Sequence, residues 1–313
     1  MRSVFKEPYL QGEAAAFKAL EAIVWRDGPV CPHCGCMGRI APLNGVKDKK
    51  GRERLGLKKC YDCRRQFTVR KGTLFEDSPI PLHVWFQAAY LMCSSKKGIS
   101  SNQLHRTLGV TLQTAWFMSH RLREAMRAGS LAPMGGVGST VEADETFIGR
   151  KEGSIKRRGH GHKNAVLSLV DRESKQVRSF HVDGTSAADI VPIIKANVAK
   201  ETAMMTDEGG HYFTLGEHFA SHGSVSHKAD EYVRGDVHTN TVENFYSVFK
   251  RGMKGVYQHC SEAHLHRYLA EFDFRYSNRV RLGVNDEQRT ERVLRGIVGK
   301  RLTYLDSSVS VAG

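Results

Sequence analysis

The stretch that decides the fold is Thr140–Val182, TVEADETFIGRKEGSIKRRGHGHKNAVLSLVDRESKQVRSFHV. Three segments of it, Thr140–Ile148, Ala165–Val170 and Gln176–Val182, are rich in β-branched and other apolar residues and predict three consecutive strands. A basic loop joins the first two segments, and the short turn Asp171–Lys175 joins the last two. The sequence therefore predicts a three-stranded meander at the start of a larger domain.

Helices and strands alternate after the meander. Periodicity predicts a helix over Ala187–Ala199, a short strand over Ala203–Thr206 and a further strand around Gly223–His227. Two long helices, at about Thr241–Tyr257 and Glu262–Tyr276, complete the pattern. A meander followed by this alternation is the element order of a ribonuclease-H-like α/β domain, and the predicted fold class is α/β.

The first eighty residues, 1–80, form the smallest predicted domain. A helix over Glu13–Trp25 precedes two cysteine knuckles, CPHCGC and CYDC. Two Cys-x-x-Cys pairs supply the four sulfurs of a structural zinc site, as in a zinc ribbon. A domain this small has little core, so bound zinc would supply folding free energy. The predicted zinc ligands are Cys31, Cys34, Cys60 and Cys63, with Cys36 and His33 as second choices.

A helical region at residues 81–130 lies between the zinc ribbon and the α/β domain, which we place at 139–280. Within it, Ser100–Leu108, a Gly-Val-Thr turn and Leu112–Met126 predict a helix-turn-helix. The Gly- and Pro-containing residues that follow it have the composition of a linker. Residues 281–313 are expected to form a C-terminal tail.

The net charge of the chain indicates which class of molecule it binds. The 313 residues include 47 Lys and Arg against 33 Asp and Glu, a formal net charge of +14, which favours a polyanion and most often nucleic acid. No stretch approaches the roughly 20 consecutive apolar residues of a membrane-spanning helix, and the N-terminus lacks the apolar run of a secretory signal. We therefore expect a cytoplasmic, nucleoid-associated protein that binds double-stranded DNA and no membrane.

Two regions offer side chains for DNA contact. The helix-turn-helix is expected to expose polar and basic residues, among them His120 and Arg123, toward phosphates and base edges. The loop of residues 150–163 is suited to salt-sensitive backbone contacts, although such a charge run is equally typical of a solvated loop. The predicted DNA-contacting residues are Arg106, Gln113, Arg121, Lys156, Arg157 and Arg158.

Three acidic residues on separate elements form the candidate catalytic centre. Asp144 lies in the first strand, Asp207 ends a later strand, where open α/β sheets place ligand sites, and Glu243 opens a helix. Two Mg²⁺ ions acting on a phosphodiester need such hard oxygen ligands, one ion for the attacking hydroxyl and one for the leaving oxygen. Because Asn240-x-x-Glu243 also fits a capping box, Glu243 has a purely structural alternative.

The spacing of these residues carries a family resemblance. Asp207 and Glu243 are separated by 35 residues, and Lys250 follows Glu243 by seven, two turns along the same helix face. With the motifs ADETFIGR, HTNTVENFYSVFKRG, GVYQH and HLHRYLAEFDFRYSNR, this chain resembles the zinc-ribbon insertion-sequence transposases of the ISXO-like group. The resemblance runs from about Tyr9 to Arg279.

The resemblance implies a DNA transposase, dependent on Mg²⁺ or Mn²⁺, that binds the terminal inverted repeats of its element and cleaves and transfers DNA strands. It implies that Asp144, Asp207 and Glu243 hold the catalytic ions and that Lys250 contacts phosphate. Members of the group use either Glu or Asn as third ligand, so Asn240 is the alternative to Glu243. An inactive DNA-binding regulator and a ribonuclease-H-type nuclease without strand transfer are the rival interpretations. Concerted transfer needs two paired ends, so we expect at least a homodimer on DNA.

Overall fold

The structure is a computed structural model that describes residues 4–129, 132–225 and 233–303. The described chain divides into two compact units. The first unit comprises residues 4–95, 99–126 and 284–303, and the second comprises residues 127–283 together with Lys96–Gly98. Within the described residues, no helix is long and apolar enough to cross a membrane.

The regular elements are named in chain order. The helices are α1 Pro8–Gln11, α2 Glu13–Val24, α3 Leu82–Ser94, α4 Ser101–Leu108, α5 Leu112–Met126, α6 Ala187–Asn197, α7 Asn240–Gly252, α8 Leu265–Ser277 and α9 Asp286–Arg295. The strands are β1 Ile40–Pro42, β2 Lys58–Cys60, β3 Gln66–Phe67, β4 Thr140–Ile148, β5 Asn164–Asp171, β6 Val177–Val182, β7 Ala203–Asp207 and β8 Ser221–Val225. Short 3₁₀ turns lie at Val4–Lys6, Gly210–Glu217, Glu262–His264 and Val280–Leu282, and a π-helical turn lies at Met253–Tyr257.

The zinc-ribbon region of the first unit is a small antiparallel sheet in the order β1-β2-β3. Its register pairs Ile40 with Cys60, so β2 delivers Cys60 at its end. The predicted N-terminal helix is confirmed as α2, and it ends one residue early because Trp25 caps it. Trp25 packs edge-on against Phe67 beside the buried Cys31 and Cys60.

Both helices of the predicted helix-turn-helix are present, but part of their predicted exposure is wrong. Ser100 Oγ accepts a hydrogen bond from the amide of Gln103 at 3.2 Å at the start of α4. However, α5 packs against α3, α4 and α9, so much of its circumference is covered. His120 stacks on Trp116 and Arg123 donates to Ser119 Oγ at 2.9 Å, and both basic side chains are buried rather than exposed.

The expected C-terminal tail is wrong for residues 284–303, which belong to the first unit and contain α9. Asn285 and Gln288 form a reciprocal capping box, with bonds of 2.8 and 3.0 Å between each side chain and the other's amide. Arg289 donates to the Cys93 carbonyl of α3 at 2.6 Å. The pattern Asn-Asp-Glu-Gln fits a capping box and is typical of a helix start. The many charged residues of α9 make the helix hard to recognise from its sequence. The stretch after Asp306 lies outside the described residues.

The second unit is built on a five-stranded sheet in the order β6-β5-β4-β7-β8. Strands β4, β5 and β6 form the predicted antiparallel meander, whereas β7 and β8 run parallel to β4. Helix α6 and the 3₁₀ turn after β7 cover one face of the sheet, and α7 and α8 cover the other. This confirms the ribonuclease-H-like prediction, with β4 at the centre of the sheet.

The long C-terminal helices differ from prediction at their ends. Helix α7 stops at Gly252 and continues as the π-helical turn. Gly252 packs so closely on Phe272 of α8 that a Cβ would lie 2.4 Å from its ring. Strand β8 begins at Ser221 instead of Gly223, and the predicted strand residue His227 lies outside the described residues.

Candidate functional site

The four predicted zinc ligands lie together in the first unit. Cys31 Sγ is 3.7 Å from Cys63 Sγ, Cys34 Sγ is 3.7 Å from Cys60 Sγ, and all four sulfurs are within 4.8 Å of one another. A tetrahedral shell with Zn–S distances of about 2.3 Å has edges of about 3.8 Å. The cluster therefore fits a structural zinc ion.

The two cysteine knuckles share the same backbone conformation and the same closing hydrogen bond. The residue after the second cysteine adopts a left-handed conformation, Gly35 at φ +75° and Arg64 at φ +61°. The amide of Cys60 donates to the Arg65 carbonyl at 3.0 Å, as that of Cys31 does to Cys36 at 2.9 Å.

Backbone amides also prepare one of the thiols for metal. Hydrogen bonding from the Cys63 amide, with a second contribution from Asp62, lowers the pKa of Cys60 to about 7, which favours the metal-binding thiolate. Of the second choices, Cys36 groups with Cys60 and Asp62 within 4.8 Å, whereas the His33 ring packs against Phe67.

The predicted acidic residues are brought to one region of the second unit. Asp144 lies on the central strand β4, Asp207 ends the neighbouring β7, and Glu243 is in the first turn of α7. Burial raises the pKa of Asp144 to about 7, and the charges of Glu145, Asp207 and Glu243 add to the increase. Four carboxylates thus share one electrostatic environment, and a bound divalent cation would relieve their repulsion.

The carboxylates are less tightly gathered than the cysteines. Among the described residues, only groups that contain cysteine bring three or more ligand atoms within 4.8 Å of one another. Two ions about 3.5–4 Å apart spread their ligands over a wider span than one ion does. Asp144, Asp207 and Glu243 offer the hard oxygen donors that divalent cations prefer.

Lys250 lies on α7, two turns after Glu243, and its electrostatic partner among the predicted carboxylates is Asp144. Its Nζ is 5.8 Å from the centroid of the Tyr246 ring. Burial lowers the pKa of Lys250, and the charge of Asp144 opposes that effect. The helix face of α7 thus places one cation beside the acidic group.

Sequence reasoning missed a second layer around the acidic residues. Glu145 points to the opposite face of β4 from Asp144, where it accepts a hydrogen bond from the Tyr212 hydroxyl and lies 3.1 Å from His211 Nε2. The Gly209 amide donates to Asp207 Oδ1 at 3.0 Å. The adjacency of Glu145 to Asp144, and of His211 and Tyr212 to Asp207, was the signal that could have found them.

Glu142 is the other missed residue, and it corrects the capping-box alternative. The N-cap of α7 is Thr239 rather than Asn240, and it makes no side-chain cap bond. The amides of Thr241 and Val242 instead donate to Glu142 Oε2 at 2.8 and 2.9 Å. Asn240 and Glu243 therefore do not form a capping box, although the hydroxyl of the N-cap Thr239 donates to Glu243 Oε1 at 3.4 Å. Both Asn240 and Glu243 are exposed.

The predicted DNA-contacting residues divide by exposure. Arg121 is half-buried, donates from Nε to the Leu302 carbonyl at 3.0 Å and lies over the Phe117 ring at 4.6 Å. The others are exposed, on α4, on α5 and in the loop between β4 and β5: Arg106, Gln113, Lys156, Arg157 and Arg158. DNA contact by these six residues stays a prediction.

Comparison with known proteins agrees with this architecture. Residues 135–277 match the ISXO2-like transposase domain, and residues 11–66 match the transposase zinc-ribbon domain. The chain thus contains regions that match an ISXO2-like transposase domain and a transposase zinc ribbon. It is 28% identical over 280 residues to the uncharacterized protein in transposable element ISH50 of Halobacterium salinarum, a match that covers 84% of this chain and 90% of that relative.

Among solved structures, this chain is similar to a chain in the cryo-electron microscopy structure of the simian T-cell lymphotropic virus intasome in complex with PP2A regulatory subunit B56 gamma. The TM-score is 0.29 and the identity 14%, over 54% of this chain and 63% of that chain, so less than two thirds of that chain's length is covered. A likeness at this level carries no inference about function.

Proposed function

We propose that this chain is a transposase that binds the terminal inverted repeats of an insertion sequence and carries out metal-dependent DNA strand cleavage and strand transfer. The observation that carries the proposal is the shared electrostatic environment of Asp144, Asp207 and Glu243. Three separate elements of a ribonuclease-H-like domain supply these carboxylates. Oxygen-only ligands at the carboxyl end of a parallel strand suit Mg²⁺ or Mn²⁺.

In this proposal Asp144, Asp207 and Glu243 hold the divalent ions. When bound, the ions supply activation of an attacking hydroxyl and stabilisation of the leaving oxygen. The Lys250 ammonium, which lies beside Asp144, contacts a DNA phosphate as a point charge and orients the scissile strand. Tyr246 anchors the site by donating its hydroxyl to the Asp144 carbonyl.

The remaining predicted residues bind the DNA. The zinc ribbon and the α4–α5 pair recognise the element ends, with Arg106, Gln113 and Arg121 at the DNA. The exposed loop residues Lys156, Arg157 and Arg158 hold the backbone through phosphate contacts. Pairing of two ends requires at least a homodimer on DNA.

A strand-transfer assay tests the proposal. A short terminal-repeat duplex, Mg²⁺ and a supercoiled plasmid are incubated with the full chain, and joined products are counted. Asp144→Asn should abolish joining, whereas Asp273→Asn, which alters a half-buried carboxyl of α8 on the same unit, should leave it detectable. Nicking without joining would support a nuclease. End binding without cleavage would support a regulator.

A further inference from the structure

Helix α7 is attached to strand β4 at two points, one at Glu142 and one at Asp144 itself. The first is Glu142, fully buried and two residues before Asp144 on the same face of the strand. Its Oε2 accepts the amides of Thr241 and Val242. The second lies one turn along α7, where the Tyr246 hydroxyl donates to the Asp144 carbonyl.

Arg172 extends the first attachment to the segment that enters α7. Its Nε donates to Glu142 Oε1 at 2.6 Å, while its Nη1 and Nη2 donate to the carbonyls of Asp236 and His238 at 2.7 and 2.6 Å. His238 Nδ1 also lies 3.3 Å from Glu142 Oε1. One carboxylate and one guanidinium thus fix both the helix start and the segment just before it.

The first amides of a helix do not need a buried ion pair as their hydrogen-bonding partner. An exposed Ser, Thr, Asp or Asn at the N-cap satisfies the same amides locally, whereas a buried ion pair must offset the desolvation of two charges. The amides held here belong to the two residues directly before Glu243. What the buried pair adds over a local cap is a fixed position of Glu243 relative to β4, the strand that also contains Asp144.

We propose that Glu142 and Arg172 are positioning residues that set the separation of Glu243 from Asp144 and thereby the divalent-metal affinity of the carboxylate centre. The inference rests on the proposed function, because it takes the carboxylates as metal ligands. Partners behind metal ligands typically change metal affinity about 10–100-fold when they are removed.

Binding of Mn²⁺ to the full chain, followed by electron paramagnetic resonance of the free ion, tests the inference without any activity measurement. Glu142→Gln and Arg172→Met should each weaken Mn²⁺ binding by about 10–100-fold. The matched controls are Glu271→Gln and Arg275→Met, which break another buried ion pair in the same unit. If Glu142 and Arg172 only stabilise the fold, their variants should lose no more Mn²⁺ affinity than the Glu271 and Arg275 variants. Such a result would overturn the inference.

The two variants also separate positioning from direct electrostatics. Glu142→Gln removes a negative charge near the ions, and Arg172→Met removes a positive one. Electrostatics alone therefore predicts opposite changes in Mn²⁺ affinity, whereas positioning predicts that both variants bind more weakly. Unchanged or tighter binding by Arg172→Met at an equal folded fraction would overturn the inference.

Three further variants complete the design. Tyr246→Phe removes the second attachment together with the 3.3 Å contact of the same hydroxyl with the Val166 carbonyl. If the Glu142 variant does not fold, Tyr246→Phe tests the attachment of α7 against Tyr257→Phe, whose hydroxyl donates to Glu271 at 2.6 Å. Glu243→Gln tests the ligand set itself. If the wild-type protein binds no Mn²⁺, the proposed function fails and the inference fails with it. If Glu243→Gln binds Mn²⁺ normally, Glu243 is not a ligand and the inference fails as stated, whereas the proposed function can still rest on Asp144, Asp207 and Asn240. If Glu243→Gln is weakened but the attachment variants match their controls, only the inference fails.

Discussion

The four cysteines of the first unit and the three carboxylates of the second are both suited to metal, but they are held in different ways. The cysteine sulfurs come within 4.8 Å of one another on two short knuckles of one small sheet. The carboxylates sit on a central strand, a strand end and a helix start, and their mutual repulsion contributes to the raised pKa of Asp144.

The difference follows from chemistry and from chain distance. A thiol of ordinary pKa is largely neutral at neutral pH until a bound metal displaces its proton, so four thiols can lie together without large repulsion. Carboxylates are charged at neutral pH and repel. Their separation must be imposed by the sheet and by contacts such as that of Glu142 with α7. The cysteine site is therefore a local structure and the acidic site a tertiary one.

Removing zinc should have the largest effect, and only on the first site. Structural zinc contributes apparent binding free energies of about 10–16 kcal/mol in small zinc domains, so Cys60→Ser should lose the ion and the folded ribbon. The measurements are zinc content per chain and hydrogen exchange of residues 31–67. Cys93→Ser, at a buried cysteine on α3, should keep one zinc. Mn²⁺ binding at the carboxylates should persist in both variants. If Mn²⁺ binding were lost together with zinc, the acidic site would depend on the zinc ribbon, and the two sites would not be independent.

Removing an acidic ligand should have the reverse pattern. Glu243→Gln should lower the rate of Mg²⁺-dependent cleavage on the order of 1,000-fold or more, because the ions supply several kcal/mol of charge stabilisation. Zinc content and end binding should stay at wild-type values. Glu217→Gln, another exposed glutamate of the same unit, is the control. Equal cleavage rates in the two variants would remove Glu243 from the ligand set.

The two sites also differ in how far the sequence predicts them. The spacing of the cysteines predicts nearly the whole geometry of the knuckles, because the two cysteines of each Cys-x-x-Cys pair lie on one turn. Asp144, Asp207 and Glu243 were recognisable from their spacing, but Glu142 and Arg172 were not, since residues about 100 and 66 positions away complete their contacts. The burial of Arg123 was equally invisible, because it depends on which helices surround α5.

The pH dependence of metal binding should sharpen the comparison further. The pKa of Asp144 is raised to about 7, so below pH 7 a metal ion must displace a proton from it. The apparent Mn²⁺ affinity should therefore fall up to about tenfold per pH unit below pH 7 and level off above it. Isothermal titration calorimetry between pH 5.5 and about 8.5 measures this slope.

Asp273 provides the control for that pH effect. Burial raises its pKa to about 7 as well, but its carboxyl accepts hydrogen bonds from Ser179 and is not among the charges acting on Asp144. Its raised pKa stabilises the fold at low pH, a contribution that disappears as pH rises through about 7. Asp273→Asn should change the pH dependence of unfolding while leaving that of Mn²⁺ binding intact. If the apparent Mn²⁺ affinity of Asp144→Asn changes with pH as steeply as that of the wild type, a group other than Asp144 is titrating.

A smaller effect is expected from the basic loop, which lies next to the acidic site in sequence and contributes no ligand. Neutralising Lys156, Arg157 and Arg158 together should flatten the slope of log affinity against log salt, by up to about 0.9 for each duplex phosphate that is no longer neutralised. The control replaces three lysines of the same unit, Lys175, Lys195 and Lys200, and removes the same charge. If both triple variants flatten the slope equally, overall charge and not the loop sets the salt dependence.

The smallest effect should come from Asn240, and it decides which residue completes the acidic site. Asn240 is the first residue of α7 and is exposed, and Thr239 occupies the N-cap while Glu142 holds the following amides. Asn240→Ala should therefore cost less than about 0.5 kcal/mol of unfolding free energy instead of the roughly 1 kcal/mol of a missing cap. A neutral carbonyl is also a weaker ligand for Mg²⁺ than a carboxylate beside two other anions. Urea unfolding and cleavage rates of Asn240→Ala and Glu243→Gln, compared at equal folded fraction, test both statements. An inactive Asn240→Ala with an active Glu243→Gln would assign the third ligand to Asn240, and the contact of Glu142 with the α7 amides would then position that side chain instead.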